Sequence, residues 1–502
     1  MSRAPTILSG VPNSVIGAGL AVLLLGLVAA GLWLVWRRPF VGLGVLVGGM
    51  AFHNFAIMVL LALHTPAALI RVVQSWKELV LLLLSVLAIG QLLRARDSWH
   101  VRRLLPMDWI ALAFTAVLVV YLLLPSSVLP GNANLMQRLA AFRTAALIPL
   151  LYALGRIFSR PTELDLRDAL WLIVGAGAVV GAFGIYELWF VPTATWLDWG
   201  VNLFSSWLGF NYNGPAGLPA NFFQSLPDGL LLRRMVSTYI SPLGIAYTGL
   251  LVWPIAVVML DRPKLSRRPR ALVAVSAAFL LIGILFAVTR LALLMLAGEV
   301  VLLALLLRTR LVVALAPVVI ACVAAVVFLY PQVGPVVDPY LLPGESHRHT
   351  ILYIGDPSFA EHLGAIVADM KVVSHHPLGS GLGGSVHRFA QTTVDTAGTG
   401  ESAVLGFFGD IGFVGGVLYV ALYLFAVYLG LRAFLLGEKR SPAQALPLVA
   451  SVGGLVLIPI TLTSDTWSDF SVTFLFWWAV GYSATVASRS QQTKPVDRLV
   501  AA

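Results

Sequence analysis

Charge is what this sequence has least of. Of its 502 residues only 11% are Asp, Glu, Lys or Arg, 59% are hydrophobic, and the mean hydropathy is +0.89. A soluble globular chain carries about 25% charged residues, so a chain this long and this apolar needs the bilayer as its solvent. Cysteine is nearly absent as well. Cys322 stands alone in an apolar run, which excludes an intramolecular disulfide and a CxxC metal site and leaves a small buried hydrophobe. There is no soluble basic domain, so the net charge of +10 does not point to nucleic acid. In a membrane chain it is the excess of Lys and Arg on cytoplasmic connections.

Long apolar runs are what the sequence has in abundance. They fall at about 15–36, 40–63, 77–93, 107–125, 139–158, 169–190, 236–260, 271–289, 291–307, 311–330, 403–431, 445–463 and 470–488. A spanning helix needs about 20 mostly apolar residues. The runs are continuous rather than alternating, which excludes a barrel. The expectation is an all-α polytopic membrane protein of about 12–13 transmembrane helices, a single membrane domain over 1–502 without internal repeats. The first run is too long for a signal peptide, lacks a small-residue cleavage site and stops at Arg37 and Arg38, so it reads as a retained helix. Around Arg290 two short spans meet with almost no loop, or one long segment breaks there.

Alternate connections are basic: 94–103, Arg156 to Arg167, 261–270, Arg308 with Arg310, Arg432 to Arg440, and the tail from Arg489. Placed inside, they put the N-terminus outside and the C-terminus inside. Two long segments, 191–235 and 331–402, then become extracytoplasmic loops. The first, with the span end before it, holds interfacial aromatics such as Trp189, Trp196, Trp199, Trp207 and Tyr212. The second, the large loop, contains an amphipathic helix from Ser358 to Val373, with Phe359, Leu363, Ile366, Val367 and Met370 on one side.

Eleven basic residues break the charge rule: Arg3, Arg71, Lys77, Arg138, Arg143, Arg233, Arg234, Arg290, Arg348, Lys371 and Arg388. Arg71, Lys77 and Arg138 read as side chains snorkelling to the interface. Arg143 and Arg290 stand in apolar surroundings, where a charge faces a cavity or a partner. Several arginines on one outer face suggest an anion site, because the guanidinium fork binds phosphate with two bonds. Six of the nine histidines, His347, His349, His362, His375, His376 and His387, lie in the second loop. Their spacing lacks HExxH, and substrate positioning, proton movement and plain wet-loop polarity all stay open. Glu401 and Asp410 flank the return to the membrane. Glu401 is either a helix-start acid or a catalytic base.

At these residues a resemblance enters. HHPLGSGLGGS at 375–385 resembles the HPLGxGLG signature of the O-antigen ligase and polymerase superfamily. GESAVLGFFGDIGFVGG at 400–416 is similar to the re-entry segment that follows it there. RMVSTYISPLGIAYTGLLVWPIA at 234–256 and AVTRLALLMLAGE at 287–299 resemble two upstream arginine segments. Together the four cover about the C-terminal half. The departures are Ser241-Pro242-Leu243 for Asn-Pro-Asn, Leu291 for a Gly, and Glu401-Ser402 where ligases carry His-Asn. The acid at 401 is closer to polymerases of secreted polysaccharides.

The resemblance implies a C-type glycosyltransferase-like fold in the bacterial inner membrane, active on the extracytoplasmic face. Its donor would be a polyprenyl-pyrophosphate-linked oligosaccharide and its partner an acceptor glycan, in inverting, metal-independent transfer without a cofactor. Arg234 and Arg290 would hold the pyrophosphate, with Arg143 or Arg388 as helpers. Glu401 would be the base and His376 the second choice. A ligase onto lipid or protein shares this donor, and a flippase of the lipid-linked sugar is the competitor from another class. A chain-length regulator or other assembly protein is an open partner.

Overall fold

The computed structural model describes residues 12–94, 104–125, 128–209, 214, 217–226, 231–262, 265–336, 357–384, 402–438 and 440–492. In hydrocarbon every backbone N–H and C=O must be bonded within its own segment, so the apolar runs become helices. In chain order these are α1 (Asn13–Arg37), α2 (Gly42–Ala62), α3 (Ala67–Gln74), α4 (Trp76–Arg94), α5 (Pro106–Leu123), α6 (Leu135–Ile157) and α7 (Glu163–Phe190). After the short α8 (Thr195–Asp198) and α9 (Val201–Leu208) come α10 (Pro242–Leu260), α11 (Arg267–Phe286), α12 (Arg290–Leu307) and α13 (Arg310–Val333). The chain ends with α14 (Pro357–His375), α15 (Ala403–Leu436), α16 (Ala445–Leu448), α17 (Gly454–Thr463) and α18 (Phe470–Gln492). Two three-residue strands, β1 (Phe223–Ser225) and β2 (Leu231–Arg233), pair antiparallel with Phe223 opposite Arg233.

Among the described residues thirteen helical segments are long and apolar enough to cross a membrane, so the protein is an all-α multi-pass membrane protein. Local chemistry sets several starts. Thr162 accepts from the Asp165 N–H in a capping box, which begins α7 at Glu163 rather than at 169. Ser241 caps α10, with Pro242 in the first turn, so this helix starts six residues later than the apolar run. The expected break at Arg290 is real: α11 and α12 are separate helices joined through 287–289.

Successive spans alternate between two ends of the bundle. At the basic end ion pairs tie neighbours together. Arg38 bridges Asp165 at 2.5 Å and Asp168 at 2.8 Å, and Arg156 pairs with Asp108, which also accepts from the Tyr152 hydroxyl at 2.7 Å. The other end, called here the loop end, carries α8 and α9, the strands, the 376–384 segment and the 464–469 turn. There Arg138 donates to the carbonyls of Tyr121, Leu122 and Leu124, satisfying the last turn of α5. Lipid tails are as apolar as leucine, so helices associate by close packing and hydrogen bonds rather than by hydrophobic drive. The centre is formed by α10 and α18, each with 89% of its spanning window buried, whereas α1 on the periphery has 11%.

Where an amphipathic helix is expected from Ser358 to Val373, the structure has the helix α14, on which Leu363, Val367 and Met370 are exposed and Ala365 and Asp369 are buried.

Candidate functional site

Two neighbouring arginines take opposite roles. Arg233, at the end of β2, is neutralised: Nη2 meets Glu187 Oε1 at 3.2 Å, and Nη1 donates to the Val191 carbonyl at 2.6 Å. Glu187 also accepts from Trp196 Nε1 and from the backbone N–H groups of Val236 and Ser237. A buried ion pair persists only when its spare lone pairs and protons are satisfied in this way. The pair locks the end of α7 to the entry of α10.

Arg234 points elsewhere. Nε donates to the Ala287 carbonyl at 2.8 Å and Nη2 to Thr289 Oγ1 at 2.7 Å, while the Met235 N–H donates to the Phe286 carbonyl. The segment is thus fastened onto the turn that precedes Arg290. No carboxylate forms a salt bridge with Arg234 among the described residues. Burial pushes Arg234 down to about 10, and Arg290 pushes in the same direction, so the two cations are near neighbours. Arg234 stays charged at neutral pH. Arg290 is half-buried at the first position of α12. Three residues with side chains adopt left-handed backbone here: Ser237 (φ 44°), Ile240 (φ 55°) and Val288 (φ 48°). For branched residues this costs of order 1–3 kcal/mol each, and such strain clusters where function fixes the backbone.

The 376–384 segment does something different. It wedges into α15, which is not the continuous helix its apolar run suggests but breaks at Ile411 and Gly412. The Ser380 and Gly381 N–H groups donate to the Gly409 and Asp410 carbonyls, and Phe413 N–H donates to the Pro377 carbonyl. The Asp410 side chain accepts from Gly383 N–H at 3.0 Å, and the Tyr121 hydroxyl donates to the Leu378 carbonyl. Gly379 (φ 75°) and Gly412 (φ 70°) meet backbone to backbone, so neither has room for a Cβ. The glycine-rich signature is a clamp on a broken helix. His376 opens it, its carbonyl accepting from Gly379 N–H, and its ring makes no hydrogen bond among the described residues.

The third component is one the sequence reading passed over, the turn S-D-T-W-S-D at 464–469. Its cue was two acids in a six-residue break between apolar spans. Ser464 hydrogen-bonds the Tyr247 hydroxyl, and Tyr247 feels the charges of both Arg234 and Asp469. Burial raises the Tyr239 hydroxyl pKa, and the Asp469 carboxylate raises it further. Asp469 Oδ2 overhangs the first turn of α10 at Gly244. The Ala403 N–H donates to the Ser464 carbonyl, and Ser402 caps α15 by accepting from Leu405 N–H at 3.1 Å. The cap is therefore Ser402. Glu401 and Arg388 lie outside the described residues, as do His347, His349, His387 and Arg348.

Arg143 belongs to a different group. It pairs with Glu78 at 3.4 Å and lies over the Phe470 ring, and the cation that Arg234 feels is Arg290. The structure thus brings together Arg234 and Arg290, adds Tyr247 and Asp469, and seats Arg143 elsewhere. Compared with models of known protein families and with curated proteins, the chain matches none.

Proposed function

We propose that the protein is an integral-membrane glycosyltransferase of the bacterial inner membrane, with a C-type glycosyltransferase-like fold and its loop end on the extracytoplasmic face. It builds a cell-surface or secreted polysaccharide by moving glycan from a polyprenyl-pyrophosphate donor to an acceptor sugar hydroxyl. One observation carries the reading. Two like charges, the buried Arg234 and the half-buried Arg290, are held near one another in a strained part of the chain. A pyrophosphate is an anion whose charge and spread of oxygens two arginines match.

In the proposed step the acceptor oxygen bonds to the anomeric carbon as the bond from that carbon to the pyrophosphate oxygen breaks. The electron pair leaves with the polyprenyl pyrophosphate, and its growing charge is met by Arg234 and Arg290. The hydroxyl proton passes to a carboxylate, Glu401 or Asp469, with His376 as the third choice. Attack opposite the leaving group inverts the anomeric centre.

The test is purified protein in nanodiscs with a lipid-linked oligosaccharide, with and without EDTA, and products resolved on a gel. A ladder that survives EDTA supports the polymerase. One shifted band on an added acceptor moves the assignment to a ligase. Translocation of the lipid-linked sugar without any new glycosidic bond overturns the reading in favour of a flippase. Of Glu401→Gln and Asp469→Asn, the base is the one whose loss removes the ladder while the folded yield holds.

A further inference from the structure

Halfway along α12 sits a carboxyl group that the transfer step does not use. Glu299 is 0% exposed, and neither of its side-chain oxygens has a hydrogen-bond partner among the described residues. It lies about 14 Å from Arg290 along the helix axis, in the middle of a segment long and apolar enough to span. The buried residues of α12 are Ala292, Leu293, Leu296, Glu299, Val300 and Leu303, so Glu299 is on the stripe that faces the bundle. A carboxylate buried without a partner is costly, and ionisable groups at this depth mark ion or proton sites.

The helices beside it are broken. α12 packs on α10, on α17 and on the π turn Val449–Gly453 that joins α16 to α17. α10 contains Pro254 and α17 contains Pro459. Proline has no N–H, so the Leu250 carbonyl loses the bond that residue 254 gives it in an unbroken helix. Leu250 is fully buried, so water does not replace that bond. Tyr247, Leu250, Leu251 and Pro254 share one face of α10. That face is turned toward the start of α12 and the π turn: Tyr247 feels Arg234 and bonds Ser464, and Leu251 packs on Gly453. Both helices run inward from the loop end, and Leu250 and Glu299 each lie roughly two and a half turns from their starts. An acceptor short of a donor and a carboxyl short of a partner thus share one depth of the bundle.

No described charge answers Glu299. The π turn and α17 contribute no ionisable side chain, and the Ser451 hydroxyl donates to the Pro447 carbonyl. α10 offers Tyr247, which bonds Ser464, and α13 offers Arg310, Cys322 and Tyr330, the last donating to the Arg233 carbonyl. α11 carries Arg267, Arg268 and Arg270 in its first turn, at the basic end. None of these acts on Glu299.

We propose that Glu299 is an intramembrane proton site whose acid form donates a hydrogen bond to the Leu250 carbonyl, latching α12 to the broken helix α10. Carboxylate and carbonyl are both acceptors and make no bond until a proton stands between them. The carboxylate takes up one proton, loses its charge and supplies the donor that Pro254 withholds. A hard metal cation gathers about six oxygens, whereas a proton needs this one acceptor. The latch is independent of the transferase reading, although it fixes the helix that begins at Arg290.

The test uses full-length protein in nanodiscs. In infrared spectra at neutral pH, wild type should show a protonated-carboxyl C=O band that Glu299→Gln removes and Glu299→Asp moves. Wild type without such a band overturns the proposal by itself, and so does a folded Glu299→Gln that keeps the full band. A thermal double-mutant cycle reads the latch. Glu299→Leu should lower the midpoint by several degrees, because the Leu250 carbonyl is left without a donor. In Pro254→Ala, where residue 254 again bonds that carbonyl, the same substitution should cost roughly half as much or less. Equal losses in the two backgrounds overturn the latch. A midpoint that rises with Na+ at constant ionic strength in wild type, but not in Glu299→Gln, assigns the site to a metal cation and overturns the proton.

Discussion

The two places where the chain abandons helix at the loop end are built on opposite terms. Around 233–240 and 287–290, left-handed backbone is occupied by Ser237, Ile240 and Val288, which carry side chains and bear strain. Around 376–384 and 409–413 the same region of backbone space is occupied by glycine, at Gly379, Gly381, Gly383 and Gly412, at no such cost. The first region concentrates cationic charge on Arg234 and Arg290. The second carries Asp410, whose carboxylate holds the Gly383 N–H. Two segments that resemble family signatures thus do unlike work: one prepares charge, the other shapes a helix. A motif rich in glycine marks backbone meeting backbone and is not by itself a place for chemistry.

Substitutions should separate the two, and the largest effect belongs to the clamp. In Gly412→Ala the new Cβ would sit 2.7 Å from the Leu378 carbonyl carbon and 2.9 Å from the Pro377 oxygen. Neither is a flexible side chain, so the variant should lose more than about 4 kcal/mol and yield little monodisperse protein. Fluorescence-detected size exclusion reads this directly. A well-folded Gly412→Ala would break the comparison.

Next comes the charge region, where stability and activity should part. Arg290→Ala should lower transfer about 10²- to 10³-fold, the effect of removing one preorganised donor from a developing anion. Its thermal midpoint should stay near wild type. If activity and midpoint fall together, Arg290 is structural like Arg233 and the contrast fails.

Asp410→Asn is a smaller probe. It replaces a charged acceptor by a neutral one at the Gly383 N–H, a change of about 1–2 kcal/mol. Activity per folded molecule should hold. The smallest effect is expected from Val288→Gly, which relieves left-handed strain of about 1–3 kcal/mol but deletes a fully buried side chain worth about as much, so stability should stay within about 1 kcal/mol of wild type. If transfer falls while stability holds, the strain at Val288 is part of how Arg290 is held. A loss of several kcal/mol would show that packing of Val288 outweighs the strain its φ implies.

The site was legible to unequal depth. Arg290 was visible because a charge between two apolar runs of near-minimal length has no cheap explanation, and the structure places it where two helices meet across 287–289. Arg234 was visible only beside Arg233, and nothing in RR at 233–234 says which of the two is neutralised. Arg143 looked equally anomalous, yet it meets Glu78 and Phe470. Asp469 was passed over because an acid in a short turn is ordinary until Tyr239, Tyr247 and Gly244 are seen around it.

Length, apolarity and the alternation of basic connections are properties of the chain read in one dimension. They were enough to determine a multi-pass bilayer protein, with thirteen helical segments among the described residues long and apolar enough to span, because each such helix satisfies its own backbone. Caps at Thr162, Ser241 and Ser402 are equally local. The tertiary structure alone decided which arginine is neutralised, where α15 breaks and what Arg143 meets. Those outcomes depend on groups far apart in sequence: Arg233 on Glu187, 46 residues away, and Tyr121 on Leu378, 257 residues away. A charge or a glycine has its meaning set by the neighbour that packing supplies, and no local pattern carries that neighbour.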